Sequence, residues 1–388
     1  MEVIEIVTGE QQVVTANDHF IGSLCGPASG PTLIFVASIH GNEPAGTIAA
    51  RQVLSELQSL SHLLRGEVVF LTGNTRALAR GVRYIDADLN RHWTAEKLTS
   101  SQPGNGPSPI CSEDLERREL LDAITPVLAR ANGEVYFLDM HTTSAGGVPF
   151  ATVGDTLRNR KFALHFPATI LLGIEEQLDG TLLEYVNNLG AVTMGFEAGQ
   201  HASQEAVEND VAVIWIALVA ARCLRREDVP DLDRHHARLE RASGGSRIVE
   251  IRHRHATQLD DCFEMEPGFE NFQPVRRGQL LARNRRGPIT ACESGMIIMP
   301  RYQSLGDDGF FLGREVKPFW LKLSSILRGL RLGDFMYFLP GVVRHPVDAS
   351  TLIVNTRVAR LFPLQIFHLL GFRKRRWKND LLEVSRRR

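Results

Sequence analysis

A chain of 388 residues exceeds the roughly 150 typical of one domain, so two or three compact units are expected, each able to bury a core. With 43% hydrophobic and 23% charged residues, and 44 Lys+Arg against 45 Asp+Glu, the composition excludes a small disulfide scaffold and intrinsic disorder, and no nucleic-acid partner is expected. The balance is uneven along the chain: Arg314 to Arg388 holds 16 basic and 5 acidic residues, leaving 28 basic and 40 acidic before it.

The N-terminus, Met1 to Phe20, carries acidic and polar residues where a signal peptide needs a basic start and an apolar run. The apolar runs Val211–Ala221 and Leu361–Phe372, the second broken by Pro363 and His368, fall short of the ~20 residues that span a bilayer, so no transmembrane segment is expected. Cys25, Cys111, Cys223, Cys262 and Cys292 are odd in number and contain no CxxC pair, which points to reduced thiols and a cytoplasmic setting.

From Thr32 to Ala220 short apolar runs alternate with amphipathic stretches. Strands are predicted at Leu33–Ser38, Val68–Thr72, Val135–Met140, Thr169–Leu172 and Val192–Phe196. Helices are predicted at Ala45–Leu60, Asp114–Arg130, Leu182–Leu189 and Glu205–Arg225. This alternation defines an α/β fold with a parallel or mixed central sheet flanked by helices. Around Asp231 to Gly245 the chain becomes charged and Gly/Ser-rich, with His235-His236 in a charged helix and Ala242-Ser243-Gly244-Gly245-Ser246 as the expected hinge. Ile248–Ile251, Leu280–Ala282, Ile289–Cys292 and Gly295–Met299 then have the texture of a small β-barrel or sandwich. The expected division is an α/β catalytic domain at 1–243, a β-rich domain shaping the site at 244–318, and a basic, helical extension at 319–388.

The chemistry concentrates where predicted strands end, the usual place for ligands in open α/β sheets. The first strand runs into His40-Gly41-Asn42-Glu43, whose imidazole and carboxylate are spaced to share one metal. The strand Val135–Met140 delivers His141, a third ligand. Two imidazoles and a carboxylate with an open fourth position form a recurring hydrolytic zinc site, iron and manganese being the alternatives. The strand Val192–Phe196 ends in Glu197-Ala198-Gly199, where Glu197 is a candidate general base or, alternatively, a salt-bridge or capping residue. Between these segments, Arg83-Tyr84-Ile85-Asp86-Ala87-Asp88-Leu89-Asn90-Arg91 is dense in charge. Its guanidinium forks suit a substrate carboxylate or an oxyanion. His253 and His255 alternate with arginines as on a solvated strand face, and the C-terminal Arg373-Lys374-Arg375-Arg376 and Arg386-Arg387-Arg388 read as a solvated end, a contact to a sister subunit or an anionic surface.

Taken together, His40, Glu43, Arg83, Asn90, Arg91, His141 and Glu197 resemble the succinylglutamate desuccinylase/aspartoacylase family, relatives of the zinc carboxypeptidases, over about residues 30–313. The resemblance implies a mixed-sheet α/β fold with a smaller β domain, and one zinc ion per chain on His40, Glu43 and His141. It also implies Glu197 as general base, Arg83 as an oxyanion partner, Asn90 and Arg91 as holders of a substrate carboxylate, and Asp139 as a residue orienting a ligand. The implied activity is hydrolysis of the amide of a small N-acylated amino acid or related amine that bears a carboxylate; association into a homo-oligomer is an open expectation. The alternatives are a zinc carboxypeptidase acting on peptides and a non-catalytic metal- or ligand-binding protein. The aspartoacylase branch carries an additional arginine ahead of the catalytic glutamate. Tyr185-Val186-Asn187-Asn188-Leu189 has none, which makes N-acetylaspartate a doubtful substrate.

Overall fold

The computed structural model describes residues 19–100, 111–229, 231–348, 350–355, 357–358, 364–378 and 381–386. The signal-peptide reading of the first 18 residues, and Arg387 and Arg388 of the basic end, lie outside them.

Eleven strands form one mixed sheet. At one margin β1 (Phe20–Cys25) is antiparallel to β3 (Arg65–Thr72), and β3, β2 (Ala28–Ala37), β4 (Val135–Thr143) and β7 (Val192–Gln200) then run parallel. β5 (Phe150–Val153) reverses against β7, and β6 (Thr169–Leu172) and β8 (Ile248–Ala256) continue parallel to it. β14 (Asp308–Glu315), β13 (Gly295–Ile298) and β10 (Pro274–Val275) complete the sheet antiparallel. The remaining short strands of this region, β9 (Glu264–Met265), β11 (Leu280–Asn284) and β12 (Gly287–Thr290), form a separate three-stranded sheet. It packs on the outer strands through Met265, Leu281, Ile297, Phe310 and Leu312, a two-layered arrangement.

The strands are apolar on both faces because both faces are covered. In β2, Leu33, Phe35 and Ala37 share a core with α1 (Ala45–Leu57), α5 (Leu157–Ala163), α7 (Gln204–Ala220) and α8 (Leu232–Ser243). The alternate residues Ile34 and Val36 join α4 (Ser112–Arg130) and α6 (Leu182–Asn188) on the other face. Two short helices, α2 (Thr75–Arg80) and α3 (Ala95–Ser100), lie in the connection from β3 to α4. The predicted strands and helices of this half are all present. The charged stretch around His235-His236 is helix α8 through Ser243, as expected, with Leu232 and Leu239 buried in the core of α1 and α7; Gly244 and Gly245, at φ 62° and 104°, turn the chain within the expected Ala242–Ser246 segment.

The region after 318 corrects an expectation. α9 (Pro318–Gly329) and α10 (Leu364–Leu369) are helical, but β15 (Val342–Arg344), β16 (Thr351–Asn355), β17 (Phe372–Lys378) and β18 (Leu381–Arg386) form a four-stranded antiparallel sheet in the order β15-β16-β18-β17. The physical reason is a period of two: Leu352 with Val354, and Leu382 with Val384, bury one face against Phe367 and Phe372. The alternation is weak in the sequence because apolar Ile353 stands between Leu352 and Val354, and a single Glu383 between Leu382 and Val384. No helix among the described residues is long and apolar enough to cross a membrane, and all five cysteines are free thiols.

Candidate metal centre and active site

β2 and β4 are neighbours in the sheet, so the turn leaving one and the end of the other meet at the same edge. Ser38, at φ 55°, ends β2 and starts the turn that carries His40 and Glu43. Its hydroxyl donates to the Glu43 carbonyl at 3.0 Å and lies 2.8 Å from Thr47 Oγ1 at the first turn of α1. Gly41 has no room for a side chain, because a Cβ there would lie 2.1 Å from the backbone carbon of Ala77 in α2. Within β4, His141 stands opposite Glu197 of β7 in the parallel register. Three chain segments distant in sequence therefore converge on one edge.

His40, Glu43 and His141 are buried, and each offers a ligand atom within 4.8 Å of the others. His40 Nδ1 lies 2.9 Å from Glu43 Oε1, and His141 Nδ1 lies 3.1 Å from Glu43 Oε2. The outer ring nitrogens face carboxylates: His40 Nε2 is 3.1 Å from Asp88 Oδ1, and His141 Nε2 is 2.9 Å from Asp139 Oδ2. At His141 such a carboxylate holds the proton on Nε2 and turns the Nδ1 lone pair inward, whereas His40 Nε2 lies between Asp88 and the Arg83 guanidinium. The donor set thus fits a divalent metal of the zinc type: two imidazoles aimed at one carboxylate, with no fourth side chain in the cluster. Two other groups of potential ligands exist among the described residues, His92/Cys111/Asp114 and His19/Glu116/Glu119. In the second, Arg76 already donates to both glutamates at 2.7 Å.

Charge in this cluster is strongly perturbed. Burial would raise the Glu43 carboxyl, but the two flanking imidazoles hold it well below the usual carboxylate range. Burial would likewise lower His141, yet Asp139 and Glu43 raise it well above the usual imidazole value. Asp88 is also buried and is held well below its ordinary value by His40 and Arg83. Glu197 behaves in the opposite sense: burial, reinforced by Glu43 and Asp139, pushes it up to about 8 against the pull of His141 and Arg83. Its Oε2 is buried and has no hydrogen-bond partner.

The four motif segments line one cavity of about 160 Å³ that includes His40, Glu43, Arg83, Asn90, Arg91, His141 and Glu197. Arg83 donates to Glu43 Oε1 at 3.3 Å and to Asp88 Oδ2 at 3.1 Å, with Nη2 also 2.9 Å from His40 Nε2. Arg91 donates to Asp308 Oδ2 at 2.9 Å, and the Asn90 carboxamide oxygen accepts from the Leu182 backbone N–H at 2.9 Å. Asn90 therefore ties the motif to the start of α6, and Arg91 ties it to β14. All seven sequence-selected residues meet here.

Sequence reasoning passed over several neighbours. Asp88 sits inside the charged motif without a role assigned to it. Gln303, from the loop between β13 and β14, accepts from Asn42 Nδ2 at 2.9 Å and lies 3.2 Å from His201 Nε2, while His201 Nδ1 is 2.7 Å from Thr142 Oγ1. Gln303 and Arg301 come from a loop with no motif, so only the fold could place them on the cavity. His255 is stacked on Phe310 at 5.0 Å, away from the metal cluster.

A mixed α/β sheet that brings a His-x-x-Glu pair and a later histidine to one strand edge defines a metal centre of the two-histidine, one-carboxylate class. The catalytic-domain model of the succinylglutamate desuccinylase/aspartoacylase family matches residues 29–220, and through this segment the chain belongs to that family. An N-acyl-aromatic-L-amino acid amidohydrolase (carboxylate-forming) of Xenopus tropicalis is 32% identical over 142 residues, covering 36% of this chain and 41% of that protein. Succinylglutamate desuccinylase of Pseudomonas paraeruginosa is 28% identical over 118 residues, covering 30% of this chain and 33% of that protein. The chain thus spans less than half the length of these two curated relatives. Succinylglutamate desuccinylase from Vibrio cholerae shares the fold, with a TM-score of 0.55 at 18% identity over 75% of this chain and 83% of that one.

Proposed function

We propose that the protein is a zinc-dependent deacylase that hydrolyses the amide of a small N-acylated amino acid or related N-acyl amine. The observation that carries this reading is the half-buried Glu197 carboxylate, its shielded Oε2 lacking a partner among the described residues, lining the same cavity as the His40/Glu43/His141 cluster. Family membership and the N-acyl amino acid relatives support the reaction class. The small cavity, about 160 Å³, favours a compact substrate over a peptide segment.

A zinc ion on His40, Glu43 and His141 would supply Lewis acidity and lower the pKa of a bound water to about 7. Glu197, ionised once a divalent cation stands beside it, accepts the proton of the attacking water and passes it to the departing nitrogen. Arg83, kept charged by Asp88 and Glu43 despite burial, is the cation that opposes charge developing on the acyl oxygen. Arg91 and Asn90 lie on the cavity where a substrate carboxylate would be held. The α6 side of the cavity offers Leu183, Glu184 and Asn187, neutral or acidic residues, so a substrate with a second acidic group is disfavoured there.

The test is a hydrolysis screen of zinc-loaded protein against N-acetyl and N-succinyl amino acids and diamines, with free and C-terminally blocked peptides and a chelator control. Chelator-sensitive release of carboxylate from one N-acyl compound is expected. Turnover of peptides alone replaces the proposal with a carboxypeptidase. Glu197→Gln is expected to lower kcat by about 10²- to 10⁴-fold with zinc content unchanged, and near-normal hydrolysis by that variant removes Glu197 from the mechanism.

A further inference from the structure

One wall of the cavity is formed by the loops that leave β5 and β6: Val153 and Gly154 from the first, Ile174 and Glu175 from the second. These loops are joined to each other, since the Asp155 backbone N–H donates to Glu175 Oε1 at 2.9 Å. Behind them the Asp155 side chain is fully enclosed, and three guanidinium groups converge on it. Arg160 of α5 contacts Oδ1. Arg328, at the end of α9, donates to Oδ2 at 2.8 Å and to the Asp155 carbonyl at 2.9 Å. Arg373, in β17, donates to Oδ2 through Nε at 2.9 Å.

Arg373 also reaches the second loop and the sheet, donating through Nη1 to Glu176 Oε1 at 2.7 Å and to Glu250 Oε1 of β8 at 3.2 Å. His368 joins the same group, with Nδ1 3.1 Å from Glu250 Oε1 and Nε2 3.4 Å from Glu176 Oε2. Arg328 grips its own unit as well, donating to the carbonyls of His368 at 2.8 Å and Leu369 at 3.2 Å. The carboxylates come from the α/β fold, whereas Arg328, His368 and Arg373 come from the C-terminal unit. Arg373 is therefore not part of the solvated basic end that the sequence suggests: it is 5% exposed.

A forked cation between two loops fixes their separation, because guanidinium geometry dictates where both carboxylates must lie. We infer that the C-terminal unit sets the shape of the substrate cavity, with Arg373 and Arg328 as positioning residues that hold the β5 and β6 loops in place. Neither residue touches the cavity near the metal cluster, so they act on substrate fit and not on proton transfer. The kinetic part of this inference rests on the deacylase reading, while the structural part does not.

The experiment compares full-length wild type with Arg373→Met and Arg373→Lys, both loaded with zinc. Arg373→Met strands buried carboxylates and can prevent folding. Arg373→Lys keeps the charge but cannot fork between Asp155 and Glu176, and it carries the same test. Expected in the folded variants are faster amide exchange at 153–156 and 173–178, unchanged zinc content, and a KM raised by about tenfold with kcat little altered. A folded variant with wild-type exchange in both loops overturns the inference, as does a fall in kcat at constant KM. If wild type hydrolyses none of the panel, the deacylase reading fails by itself, and loop exchange in the Lys variant still decides whether Arg373 holds the wall.

Discussion

The Nε2 atoms of His40 and His141 each meet a carboxylate, and these two contacts orient the rings so that both Nδ1 atoms face Glu43. Asp88→Asn or Asp139→Asn is accordingly expected to weaken zinc binding by about 10- to 100-fold with the fold intact, measurable by competition with a chromophoric chelator. Glu197 gives a second prediction. Its folded carboxyl titrates near 8 while an unfolded glutamate titrates near the ordinary 4.5, so the metal-free protein at pH 7 holds this proton. The sign follows: a raised carboxyl costs the folded state stability increasingly as pH rises from about 4.5 to about 8. A divalent cation beside it favours the charged form, so zinc loading at pH 7 is expected to expel this proton. Calorimetry in buffers of different ionisation enthalpy should count fewer protons released by Glu197→Gln than by wild type. At this scale the sequence was informative for His40, Glu43, His141 and Glu197 because short apolar runs announce the strand ends that carry them. Gln303 and Arg301 were illegible because their loop becomes part of the cavity only through the pairing of β14 with β8.

Among the elements, the turn from β2 to α1 bears the narrowest tolerance. Gly41 packs against the backbone of α2, and its N–H donates to the Arg83 carbonyl at 3.0 Å, so the metal-ligand turn and the arginine motif are pinned to each other. Gly41→Ala is expected to cost about 1–3 kcal/mol in denaturant unfolding and to lower zinc occupancy, because the backbone that must shift carries both His40 and Glu43. The central strands were readable for an elementary reason: strands buried on both faces appear as unbroken apolar runs. The strands after 340 were not, since they are short and their period of two is blurred, Ile353 standing between the buried Leu352 and Val354 and Glu383 between Leu382 and Val384. Helix α8 was legible as a charged helix around His235-His236, but its core contacts, Leu232 and Leu239, were not, because they stand among charged neighbours.

At the scale of the molecule, β6 is hydrogen-bonded to β8, and β8 to β14, so the sheet passes without interruption from the metal-binding half into the β-rich region. A fragment ending at Ser243 would leave β6 with a bare edge of unpaired backbone groups and expose Leu171 and Ile170, which are buried beside β8 in the whole protein. Such a fragment is expected to be insoluble or to self-associate, as size-exclusion chromatography would show, and to bind zinc poorly. Thermal melting of the whole protein should show residues 19–315 unfolding in one calorimetric transition, because no seam in the backbone ladder separates the two regions. For anyone engineering the protein, the cavity therefore cannot be reshaped by swapping the β-rich region as a cassette; grafts must be made loop by loop, at turns that leave the ladder untouched.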